Sequence, residues 1–421
     1  MYRHDVCCLV TAIAVLVSGC GGGSGGGSGG SGPFGVNRTG TGTAPLIAPP
    51  VATGNTLPVQ VDAGPVAGSR SINVGFVTVT VCAPGTSGIT VACQMVDHVA
   101  LDTGSSGLRL LQSVLSSNLT LPAVINSGQA IGECSQFADG FTWGSVRLAD
   151  IYLAGEIARS VPIQDVGDLP GGAAAVPADC SGGGGLNESS LASLGANGVL
   201  GIGLFKTDCD SCTMSVQPAT YYNCNVTGCT GTAVASGQLV ANPVALFALD
   251  NNGVLIKFPA VPAAGLTSLA GSLIFGIGTQ ANNGLGSAVV YMADVFGNFT
   301  TIFNGTTLTS SYIDSGTNGL FFPDASIQQC LPPGSVGFYC PPTVLNLSAT
   351  IQGSGGTPSS PPVTFSIADV DTLATDVVAA NVGGPQIGAF GWGLPFFFGR
   401  SVFVGIDGMA TPGGTGPYWA F

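Results

Sequence analysis

Glycine and proline interrupt this chain every few residues, at 67 and 27 of its 421 positions. Glycine weakens helices and proline breaks them, so long helices are not expected. Between the interruptions lie short apolar or alternating runs, such as Asn73–Val81, Ser145–Leu153 and Leu345–Ile351. Runs of this length and pattern predict β-strands. We expect helix only in brief pieces, around Leu108–Leu115 and Asp324–Gln329.

The composition limits the chemistry that this chain can perform. A net charge of −13 with only nine basic residues argues against nucleic-acid binding. His98 is the only histidine outside the leader, which excludes multi-histidine metal sites. It lies four residues before Asp102 on the same predicted strand, too far along the chain to act together with that acid. We therefore expect a packed or surface side chain rather than a catalytic one. We expect no metal and no cofactor, and catalysis by carboxylates would have to come mostly from aspartate.

Two related tetrapeptides carry the most specific chemical signal. Asp102–Ser105 reads Asp-Thr-Gly-Ser and Asp314–Thr317 reads Asp-Ser-Gly-Thr, and each follows apolar residues. Two carboxyls on tight turns after buried strands suit acid–base catalysis by a pair that shares one proton. The alternative is that both aspartates only satisfy the hydrogen bonds of their own turns.

The first seventy residues predict export and a tether. Residues 1–20 have a basic start and a short apolar core, and their last four, Val-Ser-Gly-Cys, resemble a bacterial lipobox with Cys20 as the lipidated residue. An ordinary cleaved leader is the alternative. Residues 21–70 are rich in Gly, Ser, Thr and Pro and predict a flexible linker. We therefore expect a lipid-anchored protein of the bacterial cell envelope, at the outer rather than the inner membrane, facing the periplasm or the exterior.

Ten cysteines follow the linker, and an even number in an exported protein predicts disulfide bonds. We expect Cys82 to pair with Cys93, its nearest neighbour. Cys330 and Cys340 form a second local pair, and Cys134–Cys180 is the next expected bridge. The last four either form two bridges whose pairing stays open or, alternatively, bind zinc: Cys209, Cys212, Cys224 and Cys229.

The two tetrapeptides, with their order and spacing, resemble those of the pepsin-like aspartic peptidases. The resemblance extends over most of residues 71–421. Gly198–Gly203 is similar to the segment that this family threads behind its first aspartate, and Gly144–Ile151 resembles its descending flap strand. Trp392–Arg400 resembles the family's late Leu-Gly-Asp-x-Phe-Leu segment. Together with Val79–Gly85, this Trp-Gly-Leu-Pro-Phe-Phe-Phe-Gly-Arg motif also resembles a family of uncharacterised proteobacterial lipoproteins.

The resemblance implies a mostly β, bilobal fold, in which two related barrel lobes of the six-stranded type enclose a central cleft. Residues 71–275 would form the N-terminal lobe with Asp102, and residues 276–421 the C-terminal lobe with Asp314. The same resemblance assigns these two aspartates as the catalytic carboxylates. It implies that Thr103 and Ser315 form cross-loop hydrogen bonds. Ser105 and Thr317 would donate their hydroxyls to the outer carboxylate oxygens, and Gly104 and Gly316 would leave their N–H groups accessible.

Three positions depart from the pattern of that family. Phe137 stands where the flap tyrosine is expected, and Arg109 where a tryptophan is expected. In the family these two side chains meet through a hydrogen bond. Leu394 occupies a position that usually carries an acid. We therefore expect a differently built flap, with Phe137 and Trp143 contacting the substrate.

The resulting expectation is a monomeric aspartic endopeptidase that hydrolyses polypeptides through an activated water molecule. One alternative is a catalytically weak or inactive protein that binds peptide, or another ligand, in the cleft. A tethered structural module is a further alternative. The membrane would be contacted only through the N-terminal lipid.

Overall fold

The computed structural model describes residues 54–68, 70–85, 92–173, 175–183, 185–356 and 358–421. The expected leader, with Cys20, and residues 21–53 of the expected tether lie outside this part. The described chain is mostly β, with 26 strands and only short helices, as the frequent glycine and proline residues predict. None of the described helices has the length and apolarity needed to cross a membrane.

The strands are, in chain order, β1 Thr56–Val61, β2 Gly75–Cys82, β3 Cys93–Asp102, β4 Ser106–Leu111, β5 Ile125–Asn126, β6 Gln129–Gln136, β7 Gly140–Leu153, β8 Glu156–Val166, β9 Leu186–Asn187, β10 Gly198–Ile202, β11 Tyr221–Asn225, β12 Gly228–Gly231, β13 Gly253–Lys257, β14 Leu269–Phe275, β15 Val290–Met292, β16 Phe299–Phe303, β17 Thr306–Ile313, β18 Leu320–Phe322, β19 Leu345–Gln352, β20 Val363–Ile367, β21 Gly383–Pro385, β22 Gly391–Trp392, β23 Ser401–Gly405, β24 Ala410–Thr411, β25 Gly414–Thr415 and β26 Tyr418–Ala420. The α-helices are α1 Ala178–Ser181 and α2 Leu191–Leu194. The 3₁₀ turns are Gln112–Val114, Pro170–Gly172, Asp210–Thr213, Ser236–Gln238, Pro243–Leu246, Val370–Thr372 and Leu394–Phe397.

Two sheets account for nearly all of these strands. The larger sheet joins 17 strands, β1 to β15 with β23 and β26, and the smaller joins seven, β16 to β22. One apolar cluster contains side chains from both sheets, including Leu101 and Leu200 from the larger and Ile313 and Trp392 from the smaller. The two sheets therefore share a continuous core.

Strand β1 corrects the expected boundary of the linker at residue 70. Leu57, Val59 and Val61 are buried, with 8, 1 and 0% of their surfaces exposed, while the residues between them are exposed. All six residues pair with β14, and the last two also pair with β2. The alternation of apolar and polar residues decides the conformation here, although proline and threonine had suggested a linker.

Both expected helical pieces are absent. Residues 106–111 form β4, which lies between β10 and β8 and has all six of its residues buried; only Gln112–Val114 then make a helical turn. Residues 325–327 form a turn and bend, and Gln329 makes an isolated β-bridge with Tyr339. A strand that is buried on both faces has a continuous apolar run, which periodicity alone does not distinguish from a short helix.

The end of the chain is divided between the sheets. Strands β16 to β22 belong to the smaller sheet, but Val402–Gly405 of β23 are buried in the larger one, where β23 pairs with β13 and β26. Residues 276–421, expected to form a single lobe, thus contribute strands to both sheets.

Five disulfide bonds brace the described chain. The expected pairs Cys82–Cys93, Cys134–Cys180 and Cys330–Cys340 are confirmed. The pairing that the sequence left open is between neighbours in the chain, Cys209–Cys212 and Cys224–Cys229. Because each of these four sulfurs is bonded to another in one of the two bridges, none is free to bind a metal, and the zinc alternative is wrong.

Candidate active site

Asp102 is placed by the centre of the larger sheet. It is the last residue of β3, and β10 runs parallel to β3 with Gly201 opposite Asp102. Strand β10 also pairs with β4, so it fills the space between the strand that enters the Asp102 turn and the strand that leaves it.

Asp314 is placed in the same way by the smaller sheet. It directly follows β17, and β22 runs parallel to β17 with Trp392 opposite Ile313. The Asp314 N–H donates to the carbonyl of Trp392 at 2.9 Å. Each acid therefore sits at the carboxyl end of a strand that has a parallel neighbour.

The two turns are bonded directly to each other. The N–H of Thr103 donates to Oγ of Ser315 at 3.1 Å, and the N–H of Ser315 donates to Oγ1 of Thr103 at 2.9 Å. The Ser315 hydroxyl also donates to the carbonyl of Leu101 at 2.8 Å. All of these groups are buried, so the hydrogen bonds hold the two turns in one fixed arrangement.

One backbone N–H bridges the two carboxylates. The Gly104 N–H lies 2.7 Å from Oδ1 of Asp102 and 3.1 Å from Oδ1 of Asp314. The Gly316 N–H donates to the same oxygen of Asp314 at 2.7 Å. The two inner oxygens therefore face a common donor, which is possible only when the carboxyls are neighbours.

The outer oxygens have their own donors. The Ser105 hydroxyl donates to Oδ2 of Asp102, and the Thr317 hydroxyl donates to Oδ2 of Asp314 at 2.6 Å. Burial and the adjacent charge of Asp314 raise the pKa of Asp102 well above its usual range, although the bonds from Ser105 and Gly104 act in the opposite direction. The pair therefore retains one proton at pH values where an isolated aspartate is fully ionised.

Only glycine fits at the centre of each turn. A Cβ atom at position 104 would lie 2.6 Å from Cγ of Asp314, and one at position 316 would lie 2.9 Å from Oδ1 of Asp102. Contacts this short would force the carboxyls apart. Gly104 and Gly316 are themselves exposed and Asp314 is partly exposed, so the pair can be reached from solvent at the turns.

Two surface grooves lie elsewhere. One of about 410 Å³ is bordered by Pro341 and Leu373, and one of about 530 Å³ is bordered by Lys257 and Arg400. Neither includes a residue of the two turns.

The expected flap residues are placed differently from one another. Phe137 lies just beyond β6, at the tip of the β6–β7 hairpin, where its N–H donates to the carbonyl of Gly140 at 2.7 Å. Trp143, expected to contact substrate, is only 2% exposed and packs edge-on against Tyr222 beside the Cys134–Cys180 bridge. A side chain buried in this cluster presents no surface to a ligand, so that assignment is corrected. No contact among the described residues joins either aromatic side chain to Asp102 or Asp314.

His98 takes part in a separate surface cluster, as expected. Its ring lies 3.4 Å from both Asp62 and Asp97 and contacts Phe76 at 5.2 Å. Hydrogen bonds to the two aspartates raise the pKa of His98 to about 9.

Arg109 forms a cluster that the sequence did not predict. Its guanidinium is buried and contacts two acids, Glu133 at 2.6 Å and Asp208 at 3.4 Å, the second of which is bonded to the Tyr221 hydroxyl. The only signal in the sequence was that Arg109, five residues after Gly104, stands at a position where an aromatic residue was expected.

Fold and site together define a mostly β, disulfide-bonded protein with a buried carboxyl pair built from two distant Asp-hydroxyl-Gly turns. The chain belongs to the family described as "Protein of unknown function (DUF3443)", which it matches over residues 51–421. This range contains β1, both turns and all five disulfide bonds. No curated protein matches the chain.

Proposed function

We propose that this protein is an aspartic peptidase of the pepsin-like type, in which Asp102 and Asp314 activate water against a peptide bond. The observation that carries the proposal is the Gly104 N–H shared by the two carboxylates, within turns that are bonded to each other. A turn aspartate that served only its own loop would not need a second acid within reach of the same donor. Burial keeps one proton on the pair, as the proposed chemistry requires.

The reaction follows from this shared proton. The ionised carboxyl takes a proton from water, and the oxygen of that water bonds to the scissile carbonyl carbon. The protonated carboxyl donates its proton to the carbonyl oxygen. When the C–N bond breaks, the amine nitrogen takes the proton of the pair. A hydroxyl of the tetrahedral intermediate gives its proton to the other carboxylate as the C=O bond re-forms, so the pair is again singly protonated. No metal, cofactor or covalent intermediate takes part in the proposal.

The proposal includes an arrangement and a location. The two acid-bearing regions would form related lobes, N-terminal with Asp102 and C-terminal with Asp314, and an extended polypeptide would bind between them. Lipidation at Cys20 would attach a monomer to the bacterial envelope.

A second candidate is a protein that binds peptide without cleaving it. The observation in its favour is the hairpin: Phe137 has no hydroxyl, and Trp143 is buried away from solvent. Both candidates use the same pair of turns, so they differ in whether a bond is broken.

Cleavage of an unfolded polypeptide by the purified exported chain, measured from acid to neutral pH, separates the two. We expect Asp102→Asn and Asp314→Asn each to reduce the rate at least about 100-fold, since each removes one member of the acid–base pair. A statine-type inhibitor should block the wild type. Asp376→Asn, which alters an exposed aspartate, is the matched control and should cleave normally. Peptide affinity without cleavage at any pH would instead support the binding protein.

A further inference from the structure

The guanidinium of Arg109 is held on three sides. Only 1% of this residue is exposed, and it lies on β4, the strand that leaves the Asp102 turn. One terminal nitrogen donates to Oε1 of Glu133 at 2.6 Å and lies 3.4 Å from Oδ2 of Asp208. The other donates to the carbonyl of Ser106 at 2.9 Å. Arg109 thus ties two acids to the backbone of its own strand.

The acids come from different parts of the larger sheet. Glu133 lies on β6, the first strand of the β6–β7 hairpin, and Asp208 lies in the segment after β10. The Tyr221 hydroxyl from β11 contacts both oxygens of Asp208, at 2.7 and 2.8 Å, and accepts the N–H of Val240 at 2.8 Å. Gln164 of β8 donates to the carbonyl of Glu133 at 2.8 Å. The cluster therefore connects the hairpin to β4, β8, β11 and the segments at Asp208 and Val240.

The charges of this cluster do not balance when both acids are ionised. One guanidinium faces two carboxylates, and the side chains of Glu133 and Asp208 are only 1% and 14% exposed. A buried excess negative charge is costly, so the cluster favours a bound proton. Burial, followed by the charge of Glu133, raises the pKa of Asp208 well above its usual range.

The side chains that interact with Asp208 come from three strands of the larger sheet. Arg109 comes from β4, Glu133 from β6 and Tyr221 from β11. The segment at Val240 contributes two backbone groups, an N–H that donates to the Tyr221 hydroxyl and a carbonyl that accepts the N–H of Asp208, and β8 contributes the uncharged Gln164. Among the described residues, Arg109 is the only cation that forms an ion pair with Glu133 or Asp208.

We propose that Arg109, Glu133 and Asp208 are positioning residues that hold the β6–β7 hairpin against the strand leaving the Asp102 turn, and that they do so only while the cluster carries a proton. Its relevance to catalysis rests on the proposed function, in which this hairpin takes the place of the flap. The anchoring itself is a property of the fold and can be measured without substrate.

Hydrogen exchange of the hairpin amides tests the anchoring. After correction for intrinsic rates, we expect wild-type protection over residues 129–153 to fall about tenfold for each pH unit above the titration of the cluster. Asp208→Asn imitates the protonated acid and should remove this pH dependence. Glu133→Gln, a second variant in case the first does not fold, should do the same by removing the other charge. Asp376→Asn is the matched control, because it makes the same change at an exposed aspartate outside the hairpin, and it should titrate like the wild type.

The results distinguish this inference from the peptidase proposal. If protection in wild type and both variants follows the same pH curve, the positioning role is overturned. If the curves differ but no variant or wild type cleaves polypeptide, the peptidase proposal fails while the anchoring stands. If the wild type cleaves, we expect the alkaline limb of its pH profile to move upward in Asp208→Asn, a shift that a merely destabilised protein would not show.

Discussion

Thr103 and Ser315 exchange two hydrogen bonds across 212 residues of chain, each accepting with its hydroxyl the backbone N–H of the other. The reciprocal pattern means that neither turn is complete by itself. Each supplies the acceptor for a buried donor of the other, so the relative position of Asp102 and Asp314 depends on this pair.

Removal of either hydroxyl should therefore weaken the fold and the site together. Thr103→Ala or Ser315→Ala leaves a buried N–H without its acceptor, at a cost of about 1–3 kcal/mol in the free energy of unfolding. The double variant should cost less than the sum of the two, with a coupling of about 0.5–3 kcal/mol. Denaturant titration measures these values. Thr103→Ser keeps the hydroxyl and serves as the control; strictly additive losses would contradict the exchange.

Alanine at position 104 should disrupt the carboxyl pair. Its Cβ would lie 2.6 Å from Cγ of Asp314, so either the turn or the acid must move. We expect destabilisation of about 1–3 kcal/mol, together with a lowered pKa for Asp102 as its neighbour withdraws. Carboxyl titration by NMR and thermal unfolding would show both effects. Gly237→Ala, where a Cβ atom meets nothing within 4 Å, is the control.

The protein should be more stable in mild acid than in mild alkali. Burial and neighbouring carboxylates raise the pKa of Glu156 and Asp165 to about 7 and that of Glu188 to about 8. Ordinary carboxyl pKa values of about 4 apply in the unfolded chain, so between pH 4 and pH 8 the folded protein binds more protons than the unfolded chain does. Its stability therefore falls as pH rises through this window. The raised pKa of His98 acts in the same direction: its contribution is complete below 6.5 and is lost as pH rises through about 9.

The unfolding temperature across a pH series checks this prediction. It should be highest in mild acid and decline toward pH 8. Glu188→Gln remains uncharged and should flatten part of the decline, whereas Asp376→Asn, at an exposed site, should leave it unchanged. An unfolding temperature that increases from pH 5 to pH 8 would contradict the raised carboxyl pKa values.

The sequence predicted the two turns of the candidate site because their signal is local. An acid, a hydroxyl residue and a glycine at fixed spacing are enough to predict a turn with an accessible N–H, and the structure brings Asp102 and Asp314 together. The Arg109 cluster could not be predicted in this way, because Glu133 and Asp208 are distant in sequence and meet only through strand pairing. The prediction that Trp143 contacts the substrate was wrong for a related reason, because the burial of its side chain depends on Cys180 and Tyr222, which are distant in sequence.

Loss of the Cys134–Cys180 bridge should loosen the packing around Trp143. The bridge joins β6 to α1 across 46 residues, and its removal by a double Cys→Ala change should cost about 2–4 kcal/mol. Tryptophan fluorescence should shift to longer wavelength as water reaches the ring. The control is removal of Cys209–Cys212, whose separation is only three residues and whose loss should matter less. Equal losses would show that loop length does not govern the effect.

Alternate residues of β1 should respond in opposite ways to a charge. Val59→Asp places a carboxylate in the core and should cost more than about 4 kcal/mol in the free energy of unfolding. Gln60→Asp, at the adjacent exposed position, should change it by less than about 0.5 kcal/mol. Denaturant titration of both variants is the measurement, and similar values for the two would mean that residues 56–61 do not form an inserted strand.

Strand β1 also determines how this fold would meet a mechanical pull from its N-terminal side. All six residues are paired with β14 in an antiparallel ladder, and the last two are also paired with β2. Tension along the preceding chain would act in shear on this ladder, so several hydrogen bonds would have to break at once before any strand detached. Asp102, set deeper in the same sheet at the end of β3, would be shielded from motion of whatever lies in front of residue 54.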